Sequence, residues 1–151
     1  MNPRHVVQAA IDQLQPFAEG LLAQSWTTWG PSYVHVYVRM PGCDEDLFFT
    51  LGNREAAVDG EEFFTIAHRK LEAAAREKMD TRAIVALSPW LLQPGEYYYD
   101  GGVYRDGIVV AVSGVHAAVD HMLAAMIVEM IKALMIIDRD EHIAADDMTV
   151  S

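Results

Sequence analysis

Two polar side chains at the start of a long apolar stretch are the first candidates for chemistry. His116 and Asp120 are four residues apart, which places them on one face if the stretch is helical. A helix N-terminus disfavours positive charge, so a neutral His116 there would suit a base, a hydrogen-bond donor or a metal ligand. In the alternative interpretation, His116 is only a polar residue at the start of a helix, and Asp120 is an acidic residue in its first turn. We treat the pair as a candidate catalytic or ligand-binding site.

Small residues flank this pair and would allow a ligand to approach the backbone. Gly101 and Gly102 can adopt positive φ, and Ser113 with Gly114 interrupts an apolar run just before His116. Backbone N–H groups at such a strand-to-helix break suit an anion or a polar head group. We therefore predict that these five residues belong to a ligand-binding site.

A short basic segment, His68-Arg69-Lys70, stands out in an acidic chain. Arg69 and Lys70 could receive a carboxylate of a ligand, and we predict that they complete the site. The alternative interpretation is a solvated helix face that balances nearby glutamates.

Metal binding and nucleophilic catalysis find little support in the residue spacing. None of the six histidines stands in a His-Glu-x-x-His spacing, and the single Cys43 lies beside three acidic residues, which makes it a poor nucleophile. The glycines at 101, 102 and 107 do not have the spacing of a dinucleotide loop. No metal ligand is predicted.

Composition narrows the classes of partner. The chain has 151 residues, 22 acidic against 11 basic side chains, and a formal net charge of −11. So few basic residues disfavour a nucleic acid or an anionic membrane as a partner. One cysteine cannot form an internal disulfide, and the N-terminus lacks the apolar core of a secretory signal. We therefore expect a cytoplasmic protein.

Apolar periodicity divides the chain into helices and strands. The predicted helices are residues 3–24, 62–78 and 116–137. The predicted strands are residues 33–39, 47–51, 82–88, 96–99 and 108–112. Short turns between neighbouring strands favour an antiparallel sheet, so we predict a single α+β domain with about five strands flanked by helices. The acidic tail, residues 138–151, is expected on the surface.

A set of short motifs in the C-terminal half resembles a known family. The motifs are Gly101-Gly102, Asp106-Gly107, Val109-Val110 and Val112-Ser113-Gly114. Upstream, Ala67 to Arg76 looks like the central helix of the same family, in which a lysine is followed by small residues and Ala-Ala-Arg. In this order the motifs are similar to those of the GlcG/HbpS-like family. Val103-Tyr104 and Asp120-His121 stand where that family has Pro-Ile and an acidic pair.

The resemblance implies a fold and a class of function. It implies a profilin-like or PAS-like domain over residues 1–151 with its core at 33–137, and it makes haem a candidate cofactor, since the family includes haem-binding and proposed haem-degrading members. We thus predict a small-molecule-binding accessory or sensory protein whose ligand is haem or an acidic metabolite. Two alternatives stay open: a small enzyme with His116 as acid or base near Gly101-Gly102, and a purely structural dimerisation module.

The long apolar helix is predicted to pair with a second copy of the chain. Met122, Met126 and Met130 lie along one line, while further apolar residues lie along others, which exceeds the single stripe that a sheet-covering helix needs. Left in water, the second stripe would be a larger apolar patch than monomers usually expose. We therefore predict a homodimer or higher oligomer through residues 116–137. The alternative is that the N-terminal helix or the acidic tail covers this face within one chain.

Overall fold

The computed structural model describes residues 2–24, 30–57 and 62–144. Within these ranges the helices are α1 (Pro3–Leu22), α2 (Glu62–Glu77), α3 (Thr81–Leu87) and α4 (Ala117–Ala144). The strands are β1 (Tyr33–Arg39), β2 (Leu47–Gly52), β3 (Gly102–Arg105) and β4 (Ile108–Ser113). Short 3-10 helices occupy Arg54–Ala56 and Pro89–Leu91. The predicted α+β class is confirmed.

The four strands form one antiparallel sheet in the order β2-β1-β4-β3. It consists of two hairpins that meet at β1 and β4, where His35 lies opposite Ser113. Asp106 and Gly107 close the second hairpin with φ values of 53° and 87°. Positive φ at both central residues is the geometry of the tight turns that Asp-Gly favours. The Asp-Gly hairpin predicted from the sequence is present.

Alternation along the strands gives the sheet two different faces. Val34, Val36 and Val38 point into the larger core, where α1 and α4 pack. Tyr37 and Ala111 lie on the opposite face and pack against α2. Since helices cover both faces, β4 is buried at every position. The end of β4 therefore lies between α2 and α4.

Helix α1 follows the predicted segment and ends two residues before the predicted position 24. The Oδ1 atom of Asn2 accepts a hydrogen bond from the Arg4 N–H at 3.0 Å, and Pro3 stands in the first turn, where its missing N–H costs nothing. Its buried side chains recur at helical spacing: Val7, Ala10, Ile11, Leu14, Ala18 and Leu22. This face packs on the sheet and on α4.

The segment 82–88 was predicted as a strand, but its residues 82–87 are helical instead. Helix α3 covers Thr81–Leu87, and Asp80 precedes it in an extended conformation. Within α3 the buried side chains are Thr81 and Ile84, three residues apart, which is the spacing of one helical face. The prediction was wrong because a short apolar run does not by itself distinguish a buried strand from a helix.

Residues 96–99, also predicted as a strand, are not part of the sheet. The rings of Tyr97 and Tyr99 stack at 5.6 Å between centroids. Two of the five predicted strands are thus absent, and β3 was not among the five, so the sheet has four strands where about five were predicted.

The outer edge of β3 is closed by side chains from the start of α3. Thr81 Oγ1 accepts a hydrogen bond from the Gly102 N–H, and Asp80 Oδ1 accepts one from the Tyr104 N–H, each at 3.0 Å. Alternate N–H groups of an antiparallel edge strand point away from its partner, and these two belong to that set. Side chains thus take the place of a fifth strand at this edge.

Helix α4 begins one residue after His116 and extends past the predicted end at 137 to Ala144. Residues 138–144 of the predicted tail are therefore helical, and 145–151 lie outside the described residues. Helix α1 packs along α4 in the same chain, where Leu123, Ile127 and Ile131 are buried. Among the residues that the structure describes, no helix combines the length and apolar character needed to cross a membrane.

Candidate functional site

Gly101 and Gly102 lie where α2 comes closest to the sheet. Gly101 has a φ of 126°, and a Cβ atom on it would lie 2.6 Å from the Val112 carbonyl oxygen and 2.7 Å from Lys70 Nζ. A Cβ atom on Gly102 would lie 2.7 Å from the Lys70 carbonyl oxygen. Such distances leave no room for a side chain. The two glycines therefore allow Lys70 to pack directly against the backbone.

Lys70 forms a buried ion pair with Asp120. Its Nζ atom lies 3.2 Å from Asp120 Oδ2 and donates a 2.9 Å hydrogen bond to the Val112 carbonyl oxygen. Each side chain is only 3% exposed. Lys70 lies on the buried face of α2, one turn after Ile66 and one turn before Ala74, so the helix itself carries the amine into the interior. The pair connects α2, the end of β4 and the start of α4.

Asp120 also holds the break between β4 and α4. From the first turn of α4, its Oδ1 atom accepts a hydrogen bond from the Val115 N–H at 3.2 Å. Gly114, with a φ of 152°, makes the break, and a Cβ atom there would lie 2.9 Å from the Tyr33 carbonyl oxygen. Asp120 thus fixes the loop that it follows in the sequence.

Burial shifts both members of the pair toward their neutral forms. It raises the pKa of Asp120 to about 6, although Lys70 and the Val115 and Gly114 N–H groups oppose the rise. It also lowers the pKa of Lys70, against the attraction of Asp120. At neutral pH Asp120 is therefore still largely ionised, and a mildly acidic medium protonates it.

A cavity of about 330 Å³ lies beside this pair, between α2, the end of β4 and the start of α4. Its walls combine apolar, small and charged residues. The lining residues are Glu62, Phe63, Ile66, Lys70, Tyr99, Ser113, Gly114, Val115, Ala117 and Asp120. Two of these are carboxylates and one is an amine. The cavity can therefore hold a small molecule with an apolar body and one polar end near Lys70.

The cavity brings together several residues of the predicted site. Lys70, Ser113, Gly114 and Asp120 line it, and Gly101 packs against the Lys70 amine. Gly102 lies behind the pair, where a Cβ atom would lie 2.8 Å from Thr81 Cγ2.

His116 and Arg69 lie outside the lining of this cavity. His116 is exposed, and its Nδ1 atom accepts a hydrogen bond from the Ala118 N–H at 3.1 Å, which is the geometry of a helix cap. Arg69 is exposed on α2 with its guanidinium beside Gly95. A role for either residue in binding or catalysis stays a prediction.

A second ionic cluster lies on the outer side of α2. Arg39 contacts Asp46 through Nε to Oδ1 at 2.8 Å and through Nη2 to Oδ2 at 2.9 Å, and its Nη2 atom also reaches Glu72 Oε1 at 2.7 Å. His68 Nε2 lies 3.7 Å from Asp46 and 3.5 Å from Glu72. Asp46, His68 and Glu72 offer ligand atoms within 4.8 Å of one another. Arg39, however, already places a cationic group between the two carboxylates.

Sequence reasoning missed the partnership of Lys70 with Asp120 and the walls formed by Phe63 and Ile66. One signal was available for the first. Ala67, Lys70 and Ala74 recur at helical spacing, so the lysine lies in the same row as the apolar residues that pack on the sheet. A lysine in such a row indicates a buried amine that requires an acidic partner.

Comparison with known proteins establishes the fold alone. No protein-family model matches the sequence, and no curated protein matches it. The structure is similar to the crystal structure of Klebsiella pneumoniae protein ORFY, described as DUF336, a GlcG-like family. The TM-score is 0.55 with 19% sequence identity, and the match covers 87% of this chain and 88% of that chain. The chain therefore shares its fold with a GlcG-like protein.

Proposed function

We propose that this protein binds a small molecule in the cavity beside Lys70 and Asp120. The observation that supports this is a buried ion pair that lines a cavity. A buried pair carries a large desolvation cost and often contributes less to stability than apolar residues of the same volume. Titratable groups with shifted pKa values in a cavity are therefore candidates for function.

The cavity suggests a small ligand with limited charge. A volume of about 330 Å³ lies at the low end for small-molecule sites, and Phe63, Ile66 and Tyr99 offer apolar walls. Asp120 already neutralises Lys70, and Glu62 adds a further carboxylate. An uncharged polar group beside Lys70 fits this balance better than a dianion does. Haem, with two carboxylates, remains a candidate only through the family resemblance.

A pair of neighbouring substitutions tests the site. Ala117 lines the cavity, whereas Ala118 is exposed and does not. Purified protein would first be examined by native mass spectrometry for bound small molecules, and haem would be titrated separately. Ala117→Leu is expected to weaken binding of any ligand found, with Ala118→Leu as the control. Equal binding by both variants would mean that the ligand binds elsewhere. A change in the haem absorbance spectrum that saturates during the titration would favour haem as the ligand.

We also propose that the chain self-associates through the exposed side of α4. Met122, Ile136 and Ile137 are 37%, 48% and 51% exposed, although α1 already covers another side of the helix. Sedimentation at micromolar concentration is expected to give a dimer or a larger species that Ile137→Glu dissociates. Leu87→Glu, on the exposed side of α3, is the control. A monomer for the unmodified chain would rule this out.

A further inference from the structure

We propose that Lys70 forms an imine with a small aldehyde or ketone bound in this cavity, and that Asp120 transfers the protons. The inference rests on the proposed function, because it names the chemistry of the ligand in the same site. It goes further in assigning a covalent step to an amine that otherwise only links α2 to β4 and α4.

The position of the amine supports this chemistry. Lys70 is the one lysine among the residues that line the described cavity. By contrast, Lys132 pairs with the exposed Asp106 at 2.8 Å, and Lys78 lies just after the end of α2. A carbonyl compound in the cavity would therefore meet Lys70 and neither of these two lysines.

The two hydrogen-bond partners of Lys70 suit a neutral amine. A neutral amine has two N–H groups, and the Val112 carbonyl oxygen and Asp120 Oδ2 provide two acceptors, at 2.9 and 3.2 Å. The proton that leaves is the one shared with Asp120, so rotation about the Cε–Nζ bond then turns the nitrogen lone pair toward the cavity. Desolvation of a lysine by burial is a known way to obtain such a nucleophile.

Proton movement inside the pair needs no group from outside. The Lys70 ammonium gives one proton to the Asp120 carboxylate, and burial favours this transfer because it disfavours both charged forms. The amine lone pair then attacks the carbonyl carbon while the carbonyl π electrons move to oxygen. That oxygen takes the proton from Asp120, which gives a carbinolamine ammonium.

Loss of water completes the step. Asp120 removes a proton from the carbinolamine nitrogen and returns it to the hydroxyl group, which leaves as water while the nitrogen lone pair forms the C=N bond. The net change is a carbonyl compound plus an ammonium giving a protonated imine plus water. The positive charge stays beside the Asp120 carboxylate, so the charge of the cavity is the same before and after.

Reductive trapping tests the proposal on the unmodified protein. Propionaldehyde and benzaldehyde would each be added with sodium cyanoborohydride, which reduces an imine to a stable secondary amine, and modified lysines would be located by peptide mass mapping. Because burial lowers the pKa of Lys70 and the cavity gives a carbonyl compound access to its amine, we expect faster labelling of Lys70 than of Lys78. Equal labelling of the two would overturn the proposal.

Two variants separate the roles of the pair. Lys70→Arg keeps a positive charge but cannot form an imine, so it is expected to lose the Lys70 adduct while Lys78 and Lys132 label as before. Asp120→Asn removes the proton acceptor and is expected to slow Lys70 labelling by about tenfold or more. An unchanged rate in Asp120→Asn would remove Asp120 from the step. Circular dichroism would check that both variants fold.

The outcomes also distinguish this step from the proposed function. If Ala117→Leu weakens binding of a ligand and no adduct forms at Lys70, the imine is refuted and the proposal of small-molecule binding still holds. Absence of both would refute the two together. An adduct at Lys70 that Ala117→Leu reduces and Ala118→Leu does not would support both.

Discussion

Two ionic clusters on neighbouring turns of α2 use similar residue types in opposite surroundings. On the inner side, Lys70 and Asp120 are each 3% exposed and also bind the backbone. On the outer side, Arg39, Asp46 and Glu72 are 35%, 21% and 40% exposed. Helical spacing decides which cluster a residue joins, because a shift of two positions along α2 moves a side chain from the interior to water.

The burial of each cluster, rather than its charge, should decide how much the cluster contributes to stability. Water and salt screen an exposed ion pair, which typically adds up to about 1 kcal/mol to stability. A buried pair has lost its hydration, so removal of one member leaves the other without compensation. We therefore expect large effects at the inner cluster and small effects at the outer one.

The largest expected effect is the loss of one member of the inner pair. Lys70→Met should lower the free energy of unfolding by about 3–5 kcal/mol, because Asp120 would remain buried without its counter-ion. Urea unfolding followed by circular dichroism measures this loss. The double variant Lys70→Met with Asp120→Asn should recover part of it, since no charge then stays unpaired. If the loss of stability in the double variant equals the sum of the losses in the two single variants, the two residues do not act as a pair.

The pH dependence of stability gives the next effect. The folded pKa of Asp120 is about 6 against 3.8 for the free group, so protonation favours the folded state. The contribution of Asp120 to stability is complete below pH 3.8 and is lost as the pH rises through 6. Relative to Asp120→Asn, the protein should therefore gain about 2 kcal/mol as the pH falls from 7 to 4. Unfolding curves at several pH values test this, and a flat difference would contradict it.

The outer cluster should respond to pH with the opposite sign. The hydrogen bond from Arg39 lowers the pKa of Asp46 below its ordinary 3.8. That carboxylate therefore stabilises the folded state above pH 3.8, and its contribution is lost as the pH falls through the lower folded value. Asp46→Asn should accordingly cost most at neutral pH and progressively less in acid. A cost that grows toward low pH would show that another group dominates.

An effect of intermediate size is expected where the backbone meets Lys70. Gly101→Ala combines a φ of 126° with a Cβ contact of 2.6 Å to a carbonyl oxygen, so we expect a loss of about 1–3 kcal/mol. Gly20→Ala is the matched control, because Gly20 lies in α1 with nothing within 4 Å of its Cβ position. That change should stabilise by up to about 1 kcal/mol. Thermal melts of both variants would show opposite shifts.

The smallest effect is expected for Arg39. Arg39→Ala should cost about 1 kcal/mol or less, and the cost should shrink further at high salt because its partners are partly exposed. Unfolding in low and high salt measures both quantities. A loss as large as that of Lys70→Met would mean that exposure does not separate the two clusters.

Local patterns predicted most of the fold. The Asp106-Gly107 turn, the alternation of β1 and the helical rows of α1 and α4 each act over a few residues, and the structure agrees with them. The error at 82–88 arose where the apolar run was too short to show a period. The start of that segment is better explained by its contacts with β3, which lies far along the chain.

The candidate site could be predicted only in part for the same reason. Gly101, Ser113 and Gly114 are visible as small residues at a break. The Lys70–Asp120 pair joins residues 50 positions apart, and no local pattern specifies such a contact. His116 was selected from the sequence because of its residue type. Lys70 is identified by its burial, which the sequence does not show.

The hydrogen bonds from Asp80 and Thr81 to the edge of β3 limit how this protein can assemble. An open edge would recruit a strand from another chain and could extend into fibres. Here the Gly102 and Tyr104 N–H groups are already bonded, so an added strand would have to displace both side chains. Growth of the sheet from molecule to molecule is disfavoured at this edge.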